Sequence, residues 1–342
     1  MFGPKSELRF TAALLSAALA VTGTAALSQP ANASDQSLNS SVSFLASKFV
    51  GGKALDGLSP GTPDYGFTLE AILQRRAAGQ RLKAVGTTDA SQDLATTVKA
   101  VLADTTVASK SAVFGYAYDS NKSLKPGLAG KFLFTSIAVG VPNAPLRNAI
   151  VSDFKKAIAK DGALANSNGN AFDYAWAVLG LSAVGQPKLA DIVAVKLCTL
   201  QRADGGFGLD QTGSTTTSSA DSSGLALQSL ALAKRTGTKA QLAIYAKAIQ
   251  ADFTYLKGTE VAGNHWESFG DYDVNGTAYA AMGLKANGNG ITAVQSWLKS
   301  KLATTGGFVT PWSNGLGDVY ATAQAIVPAL GLSYLNLLPT SK

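Results

Sequence analysis

Apolar residues along most of this chain return every three or four positions, the spacing of helices, and two kinds of helical segment alternate. Segments of the first kind begin at an Asp, carry a Thr-like residue four positions later and an Ala-like residue seven later, and are poor in charge. They start at Asp64, Asp173, Asp221, Asp273 and Asp318, and a sixth at Lys131 keeps the pattern with Lys in place of Asp. Segments of the second kind surround Phe44, Val98, Phe154, Leu197, Tyr255 and Trp297 and place Lys and Gln on one face, as helices with a watered side do. Self-similarity at roughly 50-residue intervals marks a repeat architecture. The pattern predicts an all-α fold, an α6/α6 toroid of six helical hairpins with an inner and an outer ring, and no strand. Gly224, Gly276, Ala280 and Gly283 on the inner set let helices approach closely.

The recurring Asp has a structural role open to it. At the first turn of a helix, backbone amides lack partners and a carboxylate accepts from them. Asp64, Asp173, Asp221, Asp273 and Asp318 are therefore read as helix caps rather than as reacting groups, and Asp271 is the one acid left over in that row.

Between outer and inner helices lie turn motifs. The run Leu200-Gln201-Arg202-Ala203-Asp204-Gly205-Gly206-Phe207-Gly208 resembles the Gln…Asp-Gly-Gly-Phe/Trp repeat of the prenyltransferase and squalene-cyclase superfamily. Weaker copies are Thr304-Thr305-Gly306-Gly307-Phe308, Gly51-Gly52 and Lys160-Asp161-Gly162. The resemblance covers most of the chain after residue 33 and implies a toroid whose inner helices and preceding loops line a cavity. Toroids of this kind serve terpene cyclases, protein prenyltransferase β-subunits, complement thioester domains and cobalamin carriers, so the fold alone gives no activity.

Each of those chemistries has a residue requirement. Zinc prenyltransferases need Asp, Cys and His ligands, and the chain offers only Cys198 and His265. Cys198 sits among Val195, Leu197 and Leu200 and is read as a packed thiol. No metal and no cofactor is expected. A thioester Cys-Gly-Glu-Gln run is absent. The proton-donating Asp-x-Asp-Asp motif of class II terpene cyclases has only a degenerate counterpart, Asp271-Tyr272-Asp273-Val274, and a terpene-cyclase-like enzyme is kept as a further alternative. The second, β-rich domain of cobalamin carriers has no counterpart.

Composition adds an address. Lys5 and Arg9 precede an apolar run from Phe10 to Leu27 and the small-residue site Ala31-Asn32-Ala33, the order of a secretory signal peptide. Residues 1–33 are read as signal peptide and 34–342 as one toroid domain, secreted, extracellular or cell-wall-associated, with no integral membrane segment after processing. A single cysteine forms no internal disulfide, so stability rests on the core that 46% hydrophobic residues provide. The net charge of +7 is spread thinly over a chain with 15% charged residues, and no nucleic-acid motif accompanies it.

Two functions remain. The main reading is a non-catalytic module that binds a small molecule, a glycan or an extracellular protein partner at the ring mouth. The alternative is an extracellular glycan-acting hydrolase or lyase. The catalytic candidates are Glu267, Asp271 and Asp273, because inverting hydrolysis needs two carboxyl groups about 6.5–9.5 Å apart. The ligand-binding candidates at the mouth are Tyr65, Tyr174, Trp176, Phe207, Trp266, Tyr272 and Trp312. The Thr- and Ser-rich stretch 211–223 is read as a loop over the mouth.

Overall fold

The alternation of packed and watered helices is present in the computed structural model, which describes residues 36–50, 54–57, 60–84, 115–140, 144–209 and 218–340. All of these lie in one unit, Ala31–Lys342. The predicted signal segment, the helix around Val98, the Gly51-Gly52 motif and residues 211–217 of the mouth loop fall outside the described residues.

Eleven α-helices occupy the described residues: α1 Gln36–Ser47, α2 Tyr65–Ala84, α3 Pro126–Ala138, α4 Ala144–Ala157, α5 Ala171–Ala183, α6 Pro187–Cys198, α7 Ala220–Ala233, α8 Lys239–Thr259, α9 Val274–Ala286, α10 Thr292–Ser300 and α11 Val319–Ala329. The inner set is α2, α3, α5, α7, α9 and α11. Each touches the next, and α11 returns to α2, which closes the ring. Helices α1, α4, α6, α8 and α10 pack outside it. The fold is an α/α toroid.

Glycine sets the tightest inner contacts. A Cβ on Gly224 of α7 would lie 2.1 Å from the Tyr279 carbonyl oxygen of α9, and one on Gly180 of α5 would lie 2.2 Å from the Gly130 carbonyl oxygen of α3. These backbones meet directly, which no larger residue permits.

The expectation of no strand is corrected by two small sheets. Strands β1 Phe49–Val50, β2 Ala54–Asp56 and β3 Pro63–Asp64 form one, and β4 Glu267–Ser268 pairs with β5 Asp271–Tyr272 in a hairpin. Their cause is local. The segment leading into an inner helix must satisfy its own backbone, and it does so by pairing with the residue that caps the helix. Phe308 bridges Asp318 in this way, and Leu55 pairs with Asp64.

A hydroxyl completes the same joint. The amides of Leu55, Phe207, Trp266 and Phe308 donate to Thr68, Ser223, Thr277 and Thr322, each one helical turn past the cap, at 2.8–2.9 Å. In α5 the phenol of Tyr174 takes the amide of Leu164 at 3.2 Å instead. The Thr-like residue four after the cap thus docks a buried apolar residue onto the next helix. This is the physical content of the repeat.

The inside of the ring is filled. A 3₁₀ turn, Tyr334–Leu337, places the Tyr334 ring 5.5 Å from Trp176, 6.2 Å from Tyr279 and 6.3 Å from Phe134. Gln74 donates to its hydroxyl at 3.3 Å and Gln228 accepts its amide at 3.0 Å. These partners stand midway along the inner helices. The cavity implied by the motif resemblance is therefore occupied at that level, and the accessible part lies at the capped helix ends.

Candidate active site

The row of mouth aspartates divides into two sets. Asp64, Asp273 and Asp318 are N-caps and accept the amides of Phe67, Gly276 and Ala321 at 2.7–3.0 Å. Asp173 and Asp221 are not. Asn170 caps α5 and accepts the Asp173 amide at 3.0 Å, while α7 begins after Ser219. The repeat is in register with Asn170 and Ser219, and the two acids are displaced into the first turn. This corrects their reading as caps.

Release from capping changes their electrostatics. Asp173 packs against α3 so closely that a Cβ on Gly127 would lie 2.2 Å from its Oδ1. Burial raises its pKa, against the Asn168 amide at 2.7 Å and the charges of Lys125 and Lys131. Asp221 is raised by loss of hydration and further by the Asp273 charge, against donation from the Ser222 amide at 2.8 Å. Asp221 at the start of α7 thus feels the charge of Asp273 at the start of the adjacent helix α9. Asp273 uses Oδ1 for capping, and Gly276 leaves room beside the other oxygen, since a Cβ there would lie 2.6 Å from Oδ2.

Next to this pair is an open cleft of about 210 Å³ between the β4–β5 hairpin and the loop before α11. Asp273, Asp318, Asn275, Tyr272, Tyr320 and Trp312 line it. Trp312 is 70% exposed.

Of the predicted mouth aromatics, Tyr272 and Trp312 line this cleft. Tyr65 is half-buried against Tyr116, ring centroids 4.6 Å apart. Tyr174, Trp176, Phe207 and Trp266 are buried, which corrects their assignment to a ligand. Phe207 and Trp266 are the apolar ends of the joints described above, and Trp266 Nε1 donates to the Leu256 carbonyl at 3.0 Å. Tyr174 spends its hydroxyl on Leu164, and Trp176 packs inside the ring beneath Lys131, whose Nζ is 4.9 Å from its centroid.

The predicted acids Glu267 and Asp271 do not converge. Glu267 pairs with Tyr272 and Asp271 with Ser268, and since cross-strand partners share a face, the two carboxylates leave opposite faces of the hairpin. Glu267 is exposed, 3.8 Å from His265 Nε2. His265 stacks on Trp297 with centroids 4.8 Å apart, and burial pushes the Cys198 thiol up to about 12. Among the described residues no group of three His, Cys, Asp or Glu is placed to hold a metal ion, and no helix is long and apolar enough to cross a membrane.

One polar cluster inside the ring was missed by sequence reasoning. Glu70 of α2 pairs with Lys131 of α3, and its other oxygen accepts Gln324 Nε2 of α11 at 2.5 Å. Gln324 Oε1 in turn accepts Asn275 Nδ2 of α9 at 2.6 Å. Lys131 is not the start of an inner helix, as the repeat suggested: Lys125 is the N-cap there, and Lys131 stands six residues past it, level with Glu70 six past Asp64.

Comparison with known proteins places the fold and leaves the family open. No family model matches the chain, and no curated protein matches it. Solved structures do. The unsaturated glucuronyl hydrolase from Bacillus sp. GL1, described as responsible for the degradation of glycosaminoglycan, superposes with a TM-score of 0.55 at 12% identity, covering 86% of this chain and 94% of that one. A possible member of the GH105 family from Salmonella enterica gives 0.57 at 11% identity over 90% and 96%. An unsaturated glucuronyl hydrolase mutant from Streptococcus agalactiae, complexed with dGlcA-GalNAc6S, gives 0.53 at 11% identity over 87% and 89%. These are α/α toroids, as this chain is, and are two glucuronyl hydrolases and a possible GH105 member rather than members of the superfamily its turn motifs resemble.

Proposed function

We propose that the protein hydrolyses a saccharide at the mouth of its toroid, with Asp221 as general acid and Asp273 as the base that activates water. The observation that carries this reading is the pairing of a raised, non-capping carboxyl with a second carboxyl on the neighbouring inner helix. General acid–base catalysis needs two groups whose environments set their protonation apart. Asp221 has no capping task, and hydration loss favours the neutral form that donates a proton to the glycosidic oxygen. The fold agrees with the reading, since its structural neighbours are hydrolases of saccharides. The Gly-Gly-Phe turns are read as a packing device shared with prenyltransferase and squalene-cyclase repeats. A Cβ on Gly205 or Gly306, both at positive φ, would lie 2.7 or 2.5 Å from a carbonyl oxygen of the adjacent outer helix.

A second reading, a binding module without turnover, is favoured by the capping bonds of Asp273 and Asp318. Asp221→Asn separates the two. An enzyme loses release of reducing ends while keeping saccharide affinity, whereas a binding module shows affinity and no release in either form.

Export is also proposed, on the order of Lys5, Arg9, the apolar run and Ala31-Asn32-Ala33, with residues 34–342 as the working domain. Amino-terminal sequencing of protein recovered from culture medium is expected to begin at Ser34. Retention inside the cells with an intact leader would contradict export.

A further inference from the structure

The cleft beside the Asp221–Asp273 pair has its own chemistry. Its lining includes the carboxylates of Asp273 and Asp318, the amide of Asn275 and the side chains of Tyr272 and Tyr320, with no Lys or Arg among them. The two carboxylates are fixed in place by capping α9 and α11, so they do not swing away from an incoming anion. Lys301, with Nζ 3.8 Å from the Tyr272 ring centroid and 5.0 Å from that of Trp297, is engaged with those two rings.

Two aromatic side chains stand out, Trp312 in the cleft's lining and Phe269 in the turn of the hairpin that forms one of its sides. Trp312 follows Pro311 in a loop held by Ser313, whose hydroxyl accepts the Thr310 amide at 3.0 Å and donates to the Thr310 carbonyl at 3.0 Å. The β4–β5 hairpin, whose Ser268 and Tyr272 also line the cleft, turns through Phe269 at φ 53° and Gly270 at φ 83°. Both central residues of such a turn need positive φ, which favours Asn, Asp or Gly. A bulky Phe there is strained, and it is also 97% exposed. Neither local backbone preference nor burial accounts for it.

We propose that this cleft is a subsite for an uncharged hexose unit of a longer chain, stacked on Trp312, with Phe269 supporting the next unit at the rim. The proposal rests on the saccharide reading above and narrows it to neutral sugars. Aromatic rings offer apolar faces to sugar C–H groups, while carboxylates and amides serve neighbouring hydroxyls. A uronic acid at the same place meets two fixed carboxylates without a cation, and like-charge juxtaposition rejects it. An apolar peptide or lipid is opposed by the same carboxylates, which it leaves unpaired.

Titration calorimetry of the full protein with hexasaccharides of β-1,4-linked glucose, glucuronic acid and glucosamine tests this. The glucose chain is expected to bind, and the glucuronic acid chain at least about tenfold more weakly, a factor equal to about 1.4 kcal/mol. Trp312→Ala should weaken glucose-chain binding by about tenfold. Phe269→Gly should weaken it while raising Tm, since Gly relieves the turn. Asp318→Asn, which keeps a competent cap, should bind the glucuronic acid chain more tightly than the wild type does. Equal or tighter binding of the glucuronic acid chain by the wild type, binding of the glucosamine chain alone, or unchanged glucose affinity in both aromatic variants overturns the subsite. Binding of none of the three overturns the saccharide reading along with it.

Discussion

Among the mouth aspartates, position within the first helical turn decides function. Asp64, Asp273 and Asp318 satisfy helix amides, whereas Asp173 and Asp221 stand a few positions further on and are left with raised pKa values. The sequence displays five Asp in similar surroundings and hides this difference, because Asn170 and Ser219 do the capping where Asp was expected. A third raised acid lies elsewhere. Asp252 of α8 is fully buried beside the Ser223 hydroxyl, which favours its charged form. Burial first, and then the Asp204 charge, hold it well above the usual range. The stability that neutral Asp252 contributes is fully present below the ordinary Asp value of 3.8 and is lost as pH rises through its raised value. Asp252→Asn should therefore match the wild type in stability at low pH and exceed it at neutral pH in denaturant titrations. Parallel curves across that range would show that Asp252 ionises in the folded protein as readily as in the unfolded chain, so that its pKa is not raised.

At the scale of elements, the alternation of helices was legible because small residues and an apolar stripe mark every inner helix. The caps at Asp64, Asp273 and Asp318 were legible for the same reason. The β4–β5 hairpin was not, since its turn residues Phe269-Gly270 carry no Asn-Gly or Asp-Gly signal. Loop aromatics were misread because the same Phe or Trp serves either as a joint or as a platform. Trp266 is 2% exposed and Trp312 is 70% exposed, and only the hydroxyl of Thr277 one turn into α9 marks the first as a joint. The backbone contact of α7 with α9 gives a direct prediction. Gly224→Ala places a methyl against the Tyr279 carbonyl and should destabilise the fold by about 1–3 kcal/mol in urea unfolding. An unchanged midpoint would mean that these helices separate at no cost.

The whole molecule is a ring that is closed by inner-helix contacts and filled from within. Tyr334, from the last turn of the described chain, touches residues of α2, α3, α5 and α9 with its side chain and of α7 with its backbone amide, so one residue joins most of the ring. Tyr334→Ala should cost about 3–5 kcal/mol, the range for removing a large buried aromatic, seen as a lowered thermal midpoint. Above that plug, the Glu70–Lys131 pair and the Gln324–Asn275 link tie four inner helices beneath the mouth. What stays open is the capped end, where Asp273 lines the cleft and Asp221 stands at the start of the neighbouring inner helix. The proposed turnover stands on that pair. Its most direct test is the rate of reducing-end release from a neutral oligosaccharide by wild type and Asp221→Asn, with affinity measured in parallel. A fall in kcat of about 10²–10⁴-fold at unchanged affinity is expected. Undiminished turnover in Asp221→Asn would contradict it.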